Sequence, residues 1–254
     1  MWLVLAGVLL GADAPLRERF GTVVVDPGHG GDDHGARGTG GLLEKDLTLD
    51  LARRLAAALR ARGLRVVLTR EADRFISLEE RTSIANEAGG HLFISIHANA
   101  SEARGARGIE TFFASLEATD EASRRLAELE NRAFDGVGGA AAGQGDPLLA
   151  ILGDLTATEH LIESQEFARM AQHRLATHER ARSRGVKQAP FVVLMGVEMP
   201  SALVEVGFLT NAAEERALRQ EEERDRLVGG LADAVEAYRR RYDVRRGLAE
   251  GGGG

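Results

Sequence analysis

The sequence predicts a single α/β domain, with a central, mostly parallel, twisted sheet flanked by helices, plus an inserted helical segment. Three observations point there. Short apolar runs rich in valine and isoleucine alternate with stretches of helical period. Two of those runs lead directly into histidines, as strands do where open α/β sheets bind ligands at their carboxyl edge. The 254 residues, 44% of them hydrophobic, are enough for one sizeable core.

In chain order, Trp2 to Ala14 has the length of a signal-peptide apolar core and ends in an Ala-x-Ala sequence, which points to export with residues 1–14 removed. No lysine or arginine precedes that core, and Pro15 would follow the cleavage point. The run is shorter than the roughly 18 residues a bilayer span needs, so no permanent membrane anchor is expected. A catalytic domain then extends over 20–243. Thr22 to Asp26 is an expected strand. Glu44 opens a helix whose Leu47, Leu51, Leu55 and Leu59 fall four apart on one face, with Gly63 as its stop. Leu64 to Thr69 is the second strand, and Ser77-Leu78-Glu79-Glu80 has the capping-box spacing of a helix reaching about Glu87. Leu92 to Ile96 and Ile109 to Ala114 are further strands. Residues 118–134 are helical and highly charged, 136–145 are mostly glycine and alanine, and 147–182 form a long helical tract. Phe191 to Met195 and Ala202 to Val206 return to the sheet. Asn211, with Glu214 three later, caps a final charged helix interrupted around Gly229-Gly230, and 247–254 is expected to be a disordered glycine-rich tail.

The chemistry sits at three of these junctions. His29 follows the first strand in Asp26-Pro27-Gly28-His29-Gly30-Gly31, Glu44 starts the first helix, and His97 ends Ile94-Ser95-Ile96-His97. They lie 15 and then 53 positions apart, so only the fold can bring them together. Two histidines and a glutamate are ligands zinc favours, and three of them leave a fourth position open, the pattern of a catalytic site. Glu44 also has a plain alternative, since a carboxylate in a first helical turn suits the helix dipole. Glu205 interrupts the apolar run Ser201 to Phe208; a carboxylate buried there needs a metal, a cation or a proton. At a strand end beside a metal it is placed to take a proton from attacking water and deliver it to a departing nitrogen. Pairing with an arginine is the plain alternative.

Composition narrows the partners. With 32 basic and 39 acidic groups the net charge is −7, which argues against nucleic acid and against nonspecific adhesion to anionic wall polymer. The absence of cysteine excludes disulfides, thiolate metal sites and lipoprotein attachment. Gly28 to Gly41 lacks the Gly-Lys-Ser/Thr ending of a P-loop. Among the other histidines, His34 is expected on the loop surface and His91 at a strand start. His160, His173 and His178 lie in the long helical tract, where His173 and His178 are five apart and do not share a helix face.

From about Val23 to Leu218 the chain resembles the zinc-dependent N-acetylmuramoyl-L-alanine amidases of the Gram-negative cell-separation type. The resemblance rests on Asp26 to Gly31 with Gly35-Ala36, Glu44-Lys45, Arg81 to Asn86, Leu92 to Asn99, Met199-Pro200-Ser201 and Leu203 to Phe208. It implies one zinc ion held by His29, Glu44 and His97, a catalytic Glu205, and peptidoglycan as substrate. The bond cut would join the lactyl group of N-acetylmuramic acid to L-alanine of the stem peptide, in wall remodelling and daughter-cell separation. It also implies a periplasmic location. In that group a helix inserted near 118–146 covers the zinc cleft and is displaced by an activator protein with a degenerate zinc-peptidase-like domain. Here Glu128 or Glu130 would fill the open zinc position, with the glycine-rich stretch as hinge; a solvated surface helix is the alternative. Asn99 is a candidate substrate hydrogen-bond donor, or a turn former. Two other functions stay open, another zinc hydrolase of the wall (carboxypeptidase or deacetylase) and a noncatalytic peptidoglycan-binding module.

Overall fold

In a computed structural model the fold is described for residues 19–103, 105–132, 155–179 and 182–248; the expected signal peptide, the glycine-rich hinge and residues 249–254 lie outside these. Six strands form one sheet in the order β2-β1-β3-β6-β4-β5. The interior strands β1 (Thr22–Pro27), β3 (Leu92–Asn99) and β6 (Ser201–Phe208) are buried along their whole length and pair in parallel. Strands covered on both faces carry such near-continuous apolar sequences. At the edges, β2 (Arg65–Leu68) and β5 (Ser183–Ala189) are partly exposed. The remaining strand, β4 (Ile109–Ala114), runs antiparallel to β6 and parallel to β5.

Side chains alternate across the sheet, so each strand feeds two cores. Val23, Val25, Ile94, Ile96, Ala202 and Val204 pack under α1 (Glu44–Ala61), α4 (Leu155–Glu179) and α7 (Glu221–Arg245). All four leucines of the α1 stripe are buried there, each contributing on the order of 1.5–3 kcal/mol. On the opposite face Val24, Phe93, Phe112 and Leu203 pack under α2 (Leu78–Glu87), α3 (Glu121–Asn131) and α5 (Val192–Met195). That second face also receives Asp26, His97, Glu205 and Glu110, which share the parity of Val24, Phe93, Leu203 and Phe112 on their strands. The apolar floor thus gives way to charged groups within a few residues along each strand.

Two local expectations are corrected and one strand is added: Ser183–Ala189, past the helical tract, is a strand for which the sequence pattern carries no expectation. Phe191 to Met195 is the start and body of α5, closed by Leu194 N–H and Met195 N–H donating to Phe191 O. Asn211 caps the short α6 (Ala212–Leu218), accepting from Ala213 and Glu214 N–H, while α7 is separate and runs unbroken through Gly229-Gly230. A Cβ on Gly230 would lie 3.4 Å from Leu175 of α4, an ordinary packing distance, so neither glycine forces a break.

The loop leading to Glu44 is fastened by Glu215 of α6. Its buried carboxylate accepts from Gly40 N–H (2.6 Å), Leu42 N–H (3.0 Å) and the Thr39 hydroxyl (2.8 Å). Burial opposes ionisation of Glu215, but these donors win and lower its pKa to about 2. Because the folded value is depressed, its stabilisation is present above about pH 4.5 and lost as pH falls toward 2. Glu215→Ala should cost about 2–3 kcal/mol in urea unfolding at pH 7 by stranding these donors; a change below 0.5 kcal/mol would show the loop to be held otherwise.

Candidate active site

His29 and His97 arrive from neighbouring strands and face each other with ring centroids 4.9 Å apart. Glu44 joins them from the first turn of α1. Its Oε1 lies 3.1 Å from His29 Nε2 and 3.1 Å from His97 Nδ1 and accepts from Ala98 N–H at 2.9 Å. Its Oε2 accepts from Ala36 N–H at 2.7 Å. The fourth member is Glu130, near the end of α3, whose Oε2 lies 3.4 Å from His29 Nε2 and 3.1 Å from His97 Nδ1. One ligand atom from each of the four falls within 4.8 Å of the other three, and among the described residues this is the only such group. Glu128, the other candidate on that helix, faces solvent.

The loop carrying His29 is built tightly. His29 has φ +59°, a conformation that costs a non-glycine residue energy and is kept where surroundings impose it. A Cβ on Gly28 would come within 2.4 Å of the His97 ring, and one on Gly35 within 2.5 Å of His29, so both must be glycine for the imidazoles to meet. Beneath the loop, Arg81 Nη1 pairs with Asp26 at 2.7 Å and donates to Pro27 O, while Nη2 donates to His29 O at 2.8 Å. Arg70 Nη2 donates to Gly28 O at 2.8 Å. Burial opposes the Asp26 charge, yet Arg81, Thr69 and Ser95 hold its pKa below the ordinary carboxylate value.

Glu205 is paired with His97 in the β3–β6 register and is fully buried, and neither of its carboxylate oxygens has a hydrogen-bond partner. Burial raises its pKa well above 4.5, with Glu44, Glu130 and Glu110 adding to the shift and His97 opposing it. Cross-strand from it, Glu110 takes Asn99 Nδ2 (2.9 Å), Arg184 Nε and Lys187 Nζ (both 3.0 Å). That bond uses one of the two N–H donors of the Asn99 amide and fixes the side chain's orientation. His34 is exposed, and His91 Nδ1 accepts from Thr22 N–H on the far side of the sheet's start.

Two imidazoles and two carboxylates converging on one point fit a divalent cation such as zinc. The observation that argues most directly for one is His29 Nε2, buried, aimed into the cluster and without a hydrogen bond. Burial disfavours the charged imidazoles, but Glu44 and Glu130 outweigh it: His29 is held well above its usual 6.5 and His97 is raised to about 10. Glu44 is held well below its ordinary value by the two histidines, against its own burial. A cation must displace those imidazole protons. Zinc binding near pH 7 should therefore release at least about one proton per ion and tighten as pH rises toward 10. Calorimetry in buffers of differing ionisation enthalpy measures this; heat independent of the buffer would contradict it.

Sequence comparison matches residues 23–237 to the family described as N-acetylmuramoyl-L-alanine amidase. The chain is 38% identical over 222 residues to N-acetylmuramoyl-L-alanine amidase AmiA of Escherichia coli (strain K12), covering 87% of this chain and 77% of that protein. It is 35% identical over 226 residues to AmiC of Neisseria meningitidis serogroup B, covering 89% of this chain and 54% of the relative. Among solved structures, an amidase from Clostridium difficile 630 superposes with a TM-score of 0.66 at 30% identity, over 87% of this chain and 97% of the other. The catalytic domain of CwlV from Bacillus (Paenibacillus) polymyxa gives 0.64 at 29% identity, over 86% and 97%.

Proposed function

The chain belongs to the N-acetylmuramoyl-L-alanine amidase family, and from that premise we propose that it is a zinc hydrolase of peptidoglycan. The bond it cuts joins N-acetylmuramic acid to the L-alanine of the stem peptide. The observation that carries this reading is the juxtaposition of the His29, Glu44 and His97 cluster with a buried, unpartnered Glu205. A noncatalytic binding module has no use for so costly a carboxylate. Zinc, when bound, supplies the positive charge that polarises the scissile carbonyl and favours its developing oxyanion. His29, Glu44 and His97 hold it. Glu205, whose pKa burial raises well above the ordinary carboxylate value, takes a proton from the attacking water and returns it to the departing nitrogen.

The resting site is read as shut. Glu130 stands where a fourth ligand would, and the space beside it, lined by Asp26, His29, Arg81, His97 and Asn131, is about 20 Å³, room for one water and not for a glycopeptide. Helix α3 is accordingly assigned as a lid over the catalytic domain 20–243, moved aside by an activator protein with a degenerate zinc-peptidase-like domain. Among the described residues no helix is long and apolar enough to cross a membrane. The apolar leader and the wall substrate support export to the periplasm.

The test is product analysis. Purified peptidoglycan incubated with zinc and the protein, with and without 118–146, should release stem peptides bearing a free L-alanine amine, and chelator should abolish them. Loss of only a terminal residue, or of acetate, would assign the site to a carboxypeptidase or deacetylase instead.

A further inference from the structure

The two histidines offer different nitrogens to the cluster, His97 its Nδ1 and His29 its Nε2. A neutral imidazole carries its proton on one nitrogen and its lone pair on the other, so a ligand of this kind needs something to fix which is which. For His29 that partner is Asp33. Its Oδ2 lies 2.9 Å from His29 Nδ1, on the side of the ring away from the cluster. The carboxylate is itself held: Oδ1 accepts from Gly35 N–H at 3.1 Å, and the backbones of Gly30 and Asp33 exchange hydrogen bonds of 2.9 and 3.2 Å. The His29 backbone is clamped independently by Arg81 on its carbonyl.

We infer that Asp33 is a positioning residue of the metal centre: by accepting the Nδ1 proton of His29 it reserves Nε2 for the metal and fixes the plane of the ring. The inference rests on the zinc reading above and names a residue beyond its ligand set. Nε2, on the opposite side of the ring, is buried and turned into the cluster, 3.1 Å from Glu44 Oε1 and 3.4 Å from Glu130 Oε2. Carboxylate–histidine–metal relays of this form raise ligand basicity, and their loss costs about 10–100-fold in metal affinity or activity.

The test compares wild type with Asp33→Ala, Asp33→Asn and the control Asp32→Ala, whose side chain is exposed next door. Zinc affinity is measured by chelator competition, and the His29 tautomer by long-range ¹⁵N–¹H correlation of the zinc-loaded protein. Asp33→Ala is expected to bind zinc about 10–100-fold more weakly. Asp33→Asn, which keeps an acceptor without the charge, should fall between it and wild type, and Asp32→Ala should stay within twofold. The wild-type spectrum should show the proton on Nδ1. If Asp33→Ala does not fold, Asp33→Asn carries the comparison, since it is isosteric. Wild-type affinity retained within twofold in a folded Asp33 variant, or a proton found on Nε2 of wild-type His29, would overturn the inference while leaving the zinc reading intact. A wild-type protein that binds no zinc would overturn both.

Discussion

Glu205→Gln is expected to cut peptidoglycan hydrolysis at pH 7 by about 10²–10⁴-fold, the usual worth of a positioned acid–base group. Zinc affinity should remain within a few fold, because Glu205 is not among the four converging ligands. The same substitution should stabilise the metal-free protein. A glutamate whose folded pKa is raised holds its proton after the unfolded chain has released its own. Wild-type stability therefore declines as pH rises from about 4.5 toward the folded value. Glutamine has nothing to titrate, so the stability gap in favour of the variant should widen with pH across that interval. Urea unfolding at pH 5 and pH 7.5, beside turnover, gives both readouts. A variant that keeps wild-type turnover would remove Glu205 from the mechanism, and a gap that narrows with pH would mean its carboxyl is ionised in the fold.

Glu130→Ala should do the reverse to activity. If the carboxylate at the end of α3 holds the site shut, removing it should raise unactivated turnover about tenfold or more, since apparent activity scales with the open fraction. It should also weaken zinc binding, because one of four converging donors is lost. Activity up with affinity down is a combination that substituting His29, Glu44 or His97 does not reproduce; His97→Ala should lower both. Assays at saturating zinc with free-zinc titrations distinguish them. Unchanged or reduced turnover in a folded, zinc-loaded Glu130→Ala protein would leave α3 as a structural cover only.

Much of the framework was legible in the chain because periodicity and burial agree there. The leucine stripe of α1, the Ser77 cap, which accepts from Glu80 N–H, and the buried strands β1, β3 and β6 came out where their patterns placed them. Phe191 to Met195 did not. Five apolar residues fit a buried strand and a single buried helical turn equally, and only tertiary packing against α2 decides. β5 was hidden for the opposite reason: Ser183-Arg184-Gly185-Val186-Lys187-Gln188-Ala189 is an edge strand, so half its side chains can be polar. In the site, the signal that drew attention to Glu205, a carboxylate inside an apolar run, was present also at Asp26 in Val23-Val24-Val25-Asp26 and at Glu110 in Ile109-Glu110-Thr111-Phe112. Both proved buried and fully partnered. The pattern thus marks buried charge, and only the presence or absence of partners separates a structural carboxylate from a reactive one. Asp33 carried no such mark, lying in a polar loop whose geometry depends on the positive φ of His29.

The direction of α3 carries a thermodynamic consequence. Glu130 belongs to its last turn, which contains no basic residue, and a helix bears a partial negative charge at its carboxyl end. A carboxylate is therefore badly placed there unless a cation faces it. If α3 is the lid proposed above, its docking and occupancy of the metal site reinforce one another, and linkage makes the reinforcement mutual: zinc would favour the shut lid by the same factor that the shut lid favours zinc. Whatever lifts α3 works against the metal's own preference and leaves behind a more weakly held ion. The active form would then be the one more readily stripped by a chelator, and scarcity of zinc in the surroundings would silence the opened enzyme before the resting one.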